Sequence, residues 1–470
     1  ENLPERVNPP GSVVAYSNYG AALAGYIVQR QLGEPWEALV QSRVFDRIGM
    51  RHASVAQPVP VAMQADLVLT YPSDSNQPAP FRTTPLAPMG SLTASAADMG
   101  RLLQMLSRQG QGANGQVVAA DTLASMMSLQ RPLGPGLADG LGLGFLVGEY
   151  RGVRYAGHAG NMSTLATDLE VLPDHGLAWY YVFSAQGPGE QARKVRRELL
   201  QATVDRFVAK TPPTLQALDP SSAEAVAGGY ISSRRLHSGP LMFSGLMDQV
   251  RVTALPNGGL EIEASGSVSQ WLPAGPDRFV DAASGTPLAV SRDGNGNVAR
   301  IASAVLYPVA EFERAPAYLA LVPGLAAFAL LTLVAAAFLR PLAWVRTKLR
   351  PQAAGEPLLS PTRLRARRWA GHAYRLLMFT LLAWGLVGLG LGIDFTLLFT
   401  IPPLAWYLLA ALSMLASVTA LVMIHDAIVV LRDAASGWGE RIVRVVLGAA
   451  ALVMAWLFFQ FDLVNAAAPW

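Results

Sequence analysis

Apolar residues recur along this chain with three different spacings, and the changes of spacing divide it. Over residues 21–32, Leu23, Ile27 and Val28 fall on one helical face with Gly33 as a stop, and residues 36–48 repeat the pattern through Leu39, Val40 and Val44. Two short packed helices are predicted there. A polar, proline-rich stretch follows to Met89, too irregular for one element and of the kind that carries active-site loops. Ser95 and Asp98 then open a helix holding Leu102, Leu103 and Leu106 and closed by Gly110. From residue 144 the signals become strands. Residues 144–150 and 153–156 flank the turn Arg151-Gly152, and 164–172 and 177–184 flank Pro173-Asp174-His175-Gly176, which predicts two hairpins ahead of a charged helix over about 189–208. Strands in hairpins with helices before and after imply an α/β domain over residues 1–208, an antiparallel sheet covered by helices.

Residues 209–222 read as a linker from Thr211-Pro212-Pro213 onward. Over 223–314 the pattern is short strands and tight turns, such as Pro256-Asn257-Gly258-Gly259 and the run from Asp293 to Asn297, which predicts a small all-β domain. Residues 315–470 form a membrane domain with four predicted transmembrane helices at about 319–339, 376–393, 405–424 and 445–461, each apolar run long enough for a ~30 Å hydrocarbon core. Trp344, Trp369, Trp406, Tyr407 and Trp438 stand where interfacial belts are expected. His425 and Asp426, near the end of the third segment, are read as an interfacial pair in preference to a proton relay.

Composition agrees with a partly membranous chain: 51% of the residues are hydrophobic and only 15% are charged. The net charge of +3 is small and its basic excess lies beside apolar segments, which disfavours nucleic acid as a partner and makes the lipid bilayer one. With no cysteine there is no disulfide, thiol nucleophile or Cys zinc site, and the six histidines show no ligand spacing, so neither metal nor cofactor is expected. His52 and His175 are read as surface residues. Basic residues also set a topology. Arg340, Arg346, Lys348, Arg350, Arg363, Arg365, Arg367 and Arg368 lie between the first two segments, none lies in 394–404, and Arg432, Arg441 and Arg444 lie between the last two. By the positive-inside rule the chain belongs in a bacterial inner membrane with residues 1–314 and the C-terminus in the periplasm.

The chemistry-bearing candidates are Tyr16-Ser17-Asn18 and, far downstream, His158-Ala159-Gly160. With the surroundings of residues 9–50, Gly90-Ser91-Leu92-Thr93 and Gly157, they resemble the β-lactamase-related serine hydrolases: class C β-lactamases, D-alanyl-D-alanine carboxypeptidases and family VIII esterases. The resemblance covers most of residues 1–190 and implies a partial β-lactamase/transpeptidase-like fold. In that family a Ser-x-x-Lys supplies the nucleophile and its lysine. Here the three lysines, Lys194, Lys210 and Lys348, are preceded three places earlier by Gln191, Phe207 and Val345, so the motif does not occur. An N-terminally truncated fragment, inactive as it stands, is the expectation.

The resemblance implies that Tyr16 moves protons between nucleophile and leaving group. Asn18 would hydrogen-bond the substrate amide and the nucleophile's lysine, though an Asn there also suits the N-cap of the following helix. His158 replaces the lysine of Lys-Thr-Gly on the pocket strand, Gly160 lets that strand approach the substrate, and the backbone N–H of Asn161 is the candidate oxyanion donor. Departure from Lys-Thr-Gly weakens the case for β-lactam hydrolysis more than for acyl transfer. The expected activity is that of a membrane-anchored periplasmic serine hydrolase on a peptide, amide or ester. The alternative is an accessory membrane protein whose hydrolase-like domain binds cell-wall fragments without turnover.

Overall fold

A computed structural model of the chain describes residues 6–465 apart from 74, 85–86, 163, 186, 188–190, 209–219, 247–248, 265, 350–359, 394–396 and 398–400. Most of the expected linker lies outside the described residues. The chain forms two compact units, one of residues 8–234 and 250–314 and one of 1–7, 235–249 and 315–470.

In the first unit, α1 (Asn18–Leu32) starts three residues sooner than its apolar pattern, because Ser17 caps it by accepting from the Gly20 N–H at 3.0 Å. It stops at Gly33, whose φ of 72° is the left-handed conformation that suits glycine. The predicted second helix is α2 (Trp36–Val40), a π turn at Gln41–Phe45 and one last turn, Asp46–Ile48. Ser95 caps α3 (Ala96–Ser107) by accepting from the Asp98 N–H. The fully buried Asp98 carboxylate in turn accepts from the Arg51 and His52 N–H groups.

The two predicted hairpins join one six-stranded antiparallel meander, in spatial order β1 (Arg131–Pro132), β2 (Gly140–Leu141), β3 (Leu146–Tyr150), β4 (Val153–Met162), β5 (Leu165–Leu172) and β6 (Leu177–Phe183). Strand β4 runs six residues beyond its apolar start. It stays in register with β5 from Ala156 opposite Val171 to Met162 opposite Leu165. One face of the sheet buries Val147, Ala156 and Val171 under Phe45, Ile48, Met99 and Leu106. The other buries Val153 and Leu172 under Leu200 and Val204 of α4 (Gln191–Phe207). Each such side chain stabilises the fold by roughly 1.5–3 kcal/mol.

The all-β part closes into a barrel of eight strands: β7 (Gly228–Ser232), β8 (Gln249–Ala254), β9 (Leu260–Ala264), β10 (Ser267–Gly275), β11 (Arg278–Asp281), β12 (Pro287–Arg292), β13 (Val298–Ala302) and β14 (Phe312–Arg314). Alternate positions point inward, and Tyr230, Leu260, Ile262, Trp271, Phe279 and Ile301 fill the interior. Closure leaves no open edge.

The second unit carries four helices, α5 (Val322–Leu349), α6 (Pro361–Ile393), α7 (Pro403–Arg432) and α8 (Trp438–Gln460), long and apolar enough to cross a membrane. They outrun their apolar cores: α6 starts fifteen residues before the predicted segment, because Arg363, Arg365, Arg367 and Arg368 ride on the same helix. Polar atoms tie the bundle together. The Tyr374 hydroxyl donates to the Leu333 carbonyl at 2.6 Å and Trp384 Nε1 donates to Ser413 Oγ at 2.8 Å. Trp369, Tyr407 and Trp438 are exposed as an interfacial belt requires, but Trp406 is only 3% exposed and packs on Trp384. His425 and Asp426 do not pair. Asp426 is buried and accepts from Arg444 at 3.0 Å, while His425 is exposed.

Candidate active site

The position of Tyr16 is set from the barrel. Just before α1, the chain runs against residues 309–311 as a short antiparallel strand: Ala15 bridges Ala310, and the Tyr16 N–H donates to the Val309 carbonyl at 3.0 Å. The Val14 N–H donates to Glu311 Oε1 at 3.0 Å and its carbonyl accepts from Ser233 Oγ at 2.7 Å. Glu311 is buried, with Arg300 Nε 3.3 Å from its other oxygen. Burial raises its pKa, and the Val14 N–H and the Arg300 and Arg131 charges pull against that rise. Thus a buried carboxylate of the barrel fixes the backbone that presents Tyr16.

The Tyr16 ring lies 6.0 Å from the His158 ring, centroid to centroid, at an interplanar angle of 49°. Over its face stands the Arg234 guanidinium, 5.0 Å from the centroid, a cation–π geometry. Arg234 donates to the Tyr307 hydroxyl at 2.5 Å. Arg234 follows β7 and Tyr307 lies between β13 and β14, so half of this aromatic and cationic group comes from the barrel. Sequence reasoning missed both, since no motif surrounds them and their neighbours here are far away in the chain.

His158 projects from β4 on the same face as Ala156. The residue keeps solvent exposure, yet partial burial lowers its pKa. The Arg196 charge acts in the same sense and a backbone contact with Ala159 opposes both. At neutral pH the imidazole is therefore uncharged and able to accept a proton. Asn18 occupies the first turn of α1 with an exposed side chain. The N-cap of α1 is Ser17, one residue earlier.

Gly160 faces Thr167 across the ladder, and a Cβ there would come within 2.4 Å of Thr167 Oγ1, so the bare strand is required by its neighbour strand as well as by any substrate. The Asn161 side chain projects from the opposite face to His158 and accepts from Arg196 Nη2 at 2.8 Å. The same nitrogen donates to the Gly160 carbonyl at 2.8 Å. Arg196 Nε is 3.9 Å from Asp168. Burial raises the pKa of Asp168 and, with the Asp168 charge added, that of Glu170, and Arg196 offsets both. Arg196 of α4 thereby clamps the end of β4 from behind. Among the described residues no group of side chains is arranged to hold a metal ion.

Residues 4–203 match the protein-family model described as Beta-lactamase. Over 179 residues the chain is 26% identical to "Penicillin-binding protein 4" of Amycolatopsis lactamdurans, a match that covers 36% of this chain and spans only 46% of that protein. Among solved structures, that of SurE with D-Leu is 20% identical, covering 66% of this chain and 69% of that one with a TM-score of 0.41. A class C β-lactamase from Rhodobacter sphaeroides is 16% identical, covering 42% and 63% with a TM-score of 0.34.

Proposed function

Residues 4–203 belong to the β-lactamase family, and from that premise we propose that the protein is a membrane-anchored serine hydrolase acting by acyl transfer on a peptide, amide or ester at the periplasmic face of a bacterial inner membrane. The observation that carries the reading is the approach of Tyr16, with Arg234 over its ring, to His158 on a strand about 140 residues downstream. A serine hydroxyl attacking the acyl carbon must lose a proton and the leaving group must gain one. In this reading Tyr16 passes that proton, and His158, uncharged at neutral pH, accepts a proton from the reacting groups or returns one. Arg234 supplies a fixed cation over Tyr16, suited to the carboxylate end of a substrate, which favours peptides with a free terminus, including the D-configured peptides of cell walls. The same reading assigns oxyanion stabilisation to the backbone N–H of Asn161, on the strand end that Arg196 holds through the Gly160 carbonyl and Asn161 Oδ1.

These 470 residues hold no Ser-x-x-Lys, so in the working enzyme the nucleophile and its lysine come from outside them. That same fact favours a second reading, a domain that binds cell-wall fragments without turnover. The two are separated with the full gene product. If it is the enzyme, a fluorophosphonate labels one serine of a Ser-x-x-Lys, the 470-residue chain alone stays unlabelled, and Tyr16→Phe lowers kcat by about 10² with little change in KM. An unchanged kcat removes Tyr16 from the chemistry. A full product that binds peptide but takes up no label assigns the domain to binding.

A further inference from the structure

At the basic end of the helical bundle a groove of about 550 Å³ opens between α6 and α7. Thr362, Arg365 and Trp369 of α6 face Leu421, Val422 and His425 of α7 across it. The two ends of the groove differ chemically. One end offers a guanidinium and a hydroxyl from α6 and an imidazole from α7, and the rest of the lining is apolar.

The carboxylates beside it are already paired with other arginines. Arg363 is buried and holds Asp433 at 3.0 Å and Glu440 at 2.8 Å, and Arg444 holds Asp426 at 3.0 Å. Those three carboxylates are thereby occupied. Among the described residues none pairs with Arg365, which is exposed on the groove side. Arg365 is four residues from the start of α6 and His425 seven residues from the end of α7, so both lie within roughly 10 Å of the helix ends at 1.5 Å per residue. That is the depth of headgroups when the apolar spans fill the hydrocarbon core. Trp369, 66% exposed at the rim, is of the type that settles at this depth. The exposed His425, at that same depth, is a polar group that headgroups can partner and acyl chains cannot.

Resting on the reading that these helices cross a bilayer, we infer that the groove between α6 and α7 binds one anionic phospholipid of the leaflet holding the basic helix ends, its phosphate held by Arg365, Thr362 and His425 and an acyl chain lying along Leu421 and Val422. Basic pockets between membrane helices have the charge and shape for such headgroups. The occupant is a lipid and not free phosphate, because the apolar lining continues from the polar end.

The test uses the full 470-residue chain in vesicles of phosphatidylcholine alone or with one-fifth phosphatidylglycerol, followed by mild detergent extraction and native mass spectrometry. Wild type retains phosphatidylglycerol over phosphatidylcholine by at least tenfold, Arg365→Gln and His425→Gln each reduce that preference at least fivefold, and Arg368→Gln, a change of equal charge away from the groove, leaves it intact. Inorganic phosphate at millimolar concentration does not displace the lipid. Equal retention of the two lipids by wild type, an Arg368→Gln loss as large as that of Arg365→Gln, or displacement by phosphate overturns the inference. An alkaline carbonate wash of the phosphatidylcholine vesicles keeps the two levels apart. A chain that washes off refutes the membrane-spanning reading and this inference with it, whereas a chain that stays but shows no lipid preference refutes the inference alone.

Discussion

Glu311→Ala should loosen the segment that carries Tyr16 while the sheet stays folded. Glu311 is 4% exposed and Val14 2%. The substitution leaves the Val14 N–H buried without its 3.0 Å acceptor, at a cost of about 1–3 kcal/mol. Arg300, a third of whose side chain reaches solvent, loses its partner and turns to water, so its share is about 1 kcal/mol or less. The sum, about 1–4 kcal/mol, falls on one short strand. At about 1.4 kcal/mol per tenfold, amide exchange at residues 14–16 should accelerate about 5-fold to 1000-fold. Exchange in β4 and β5 should change little. Glu311→Gln keeps an acceptor for Val14 and should recover most of the protection. Hydrogen exchange of the detergent-solubilised chain, read by mass spectrometry, measures all three proteins. If Val14 and Tyr16 stay protected in Glu311→Ala, or if Glu311→Gln is as damaging as alanine, the carboxylate does not anchor the segment and the barrel's hold on Tyr16 must be argued otherwise.

Two further outcomes follow. Burial pushes Asp139 up to about 6 from 3.8, against the Tyr155 hydroxyl that donates to it at 2.8 Å and with the Glu149 charge adding to the rise. A carboxyl raised on folding binds its proton more tightly in the native state, so stability is full below pH 4 and falls as pH climbs through 6, by about 3 kcal/mol at about 1.36 kcal/mol per unit. Asp139→Asn keeps the acceptor for Tyr155 and should flatten that decline in urea midpoints between pH 4 and 7; an unaltered slope would assign the titration to another group. For topology, alkaline phosphatase fused after Trp470 should be active and a cytoplasm-dependent fluorescent protein there should be dark, and the reverse pattern would refute the proposed periplasmic placement of residues 1–314.

What the sequence revealed and what it hid divide by distance along the chain. Apolar spacing located α1 and the four long helices, because a helix is written in residues three and four apart. Cap residues marked the start of α3 through Ser95 and the end of α1 through Gly33, for the same local reason. The six-stranded sheet was legible only as two hairpins, since the strands at Arg131–Pro132 and Gly140–Leu141 are two residues each, too short for any alternation. Apolar spacing ended β4 at Ala156, and only the resemblance put His158 and Gly160 on a strand, because neither is part of an apolar alternation. At the candidate site, Tyr16 and His158 stood out by motif. Arg234, Tyr307 and Glu311 did not, because their value comes from contacts with Tyr16 and Val14 that exist only after the barrel closes. The expectation that Asn18 caps α1 failed by one position: Ser17 has the shorter hydroxyl in the right place.

The strand that presents Tyr16 pairs with residues made long after it. Val14 and Glu311 are 297 positions apart. A ribosome adding about 5–20 residues per second needs about 15–60 s to connect them. Throughout that interval α1 exists without its anchor, showing Tyr26, Ile27 and Leu32, which stay largely exposed even in the finished fold. The nascent domain therefore waits for its own downstream half with the approach to Tyr16 unpaired. Chains that stop before residue 309 never complete the pairing, so a frameshift or early stop within the barrel should leave a segment that proteases cut first at the approach to Tyr16.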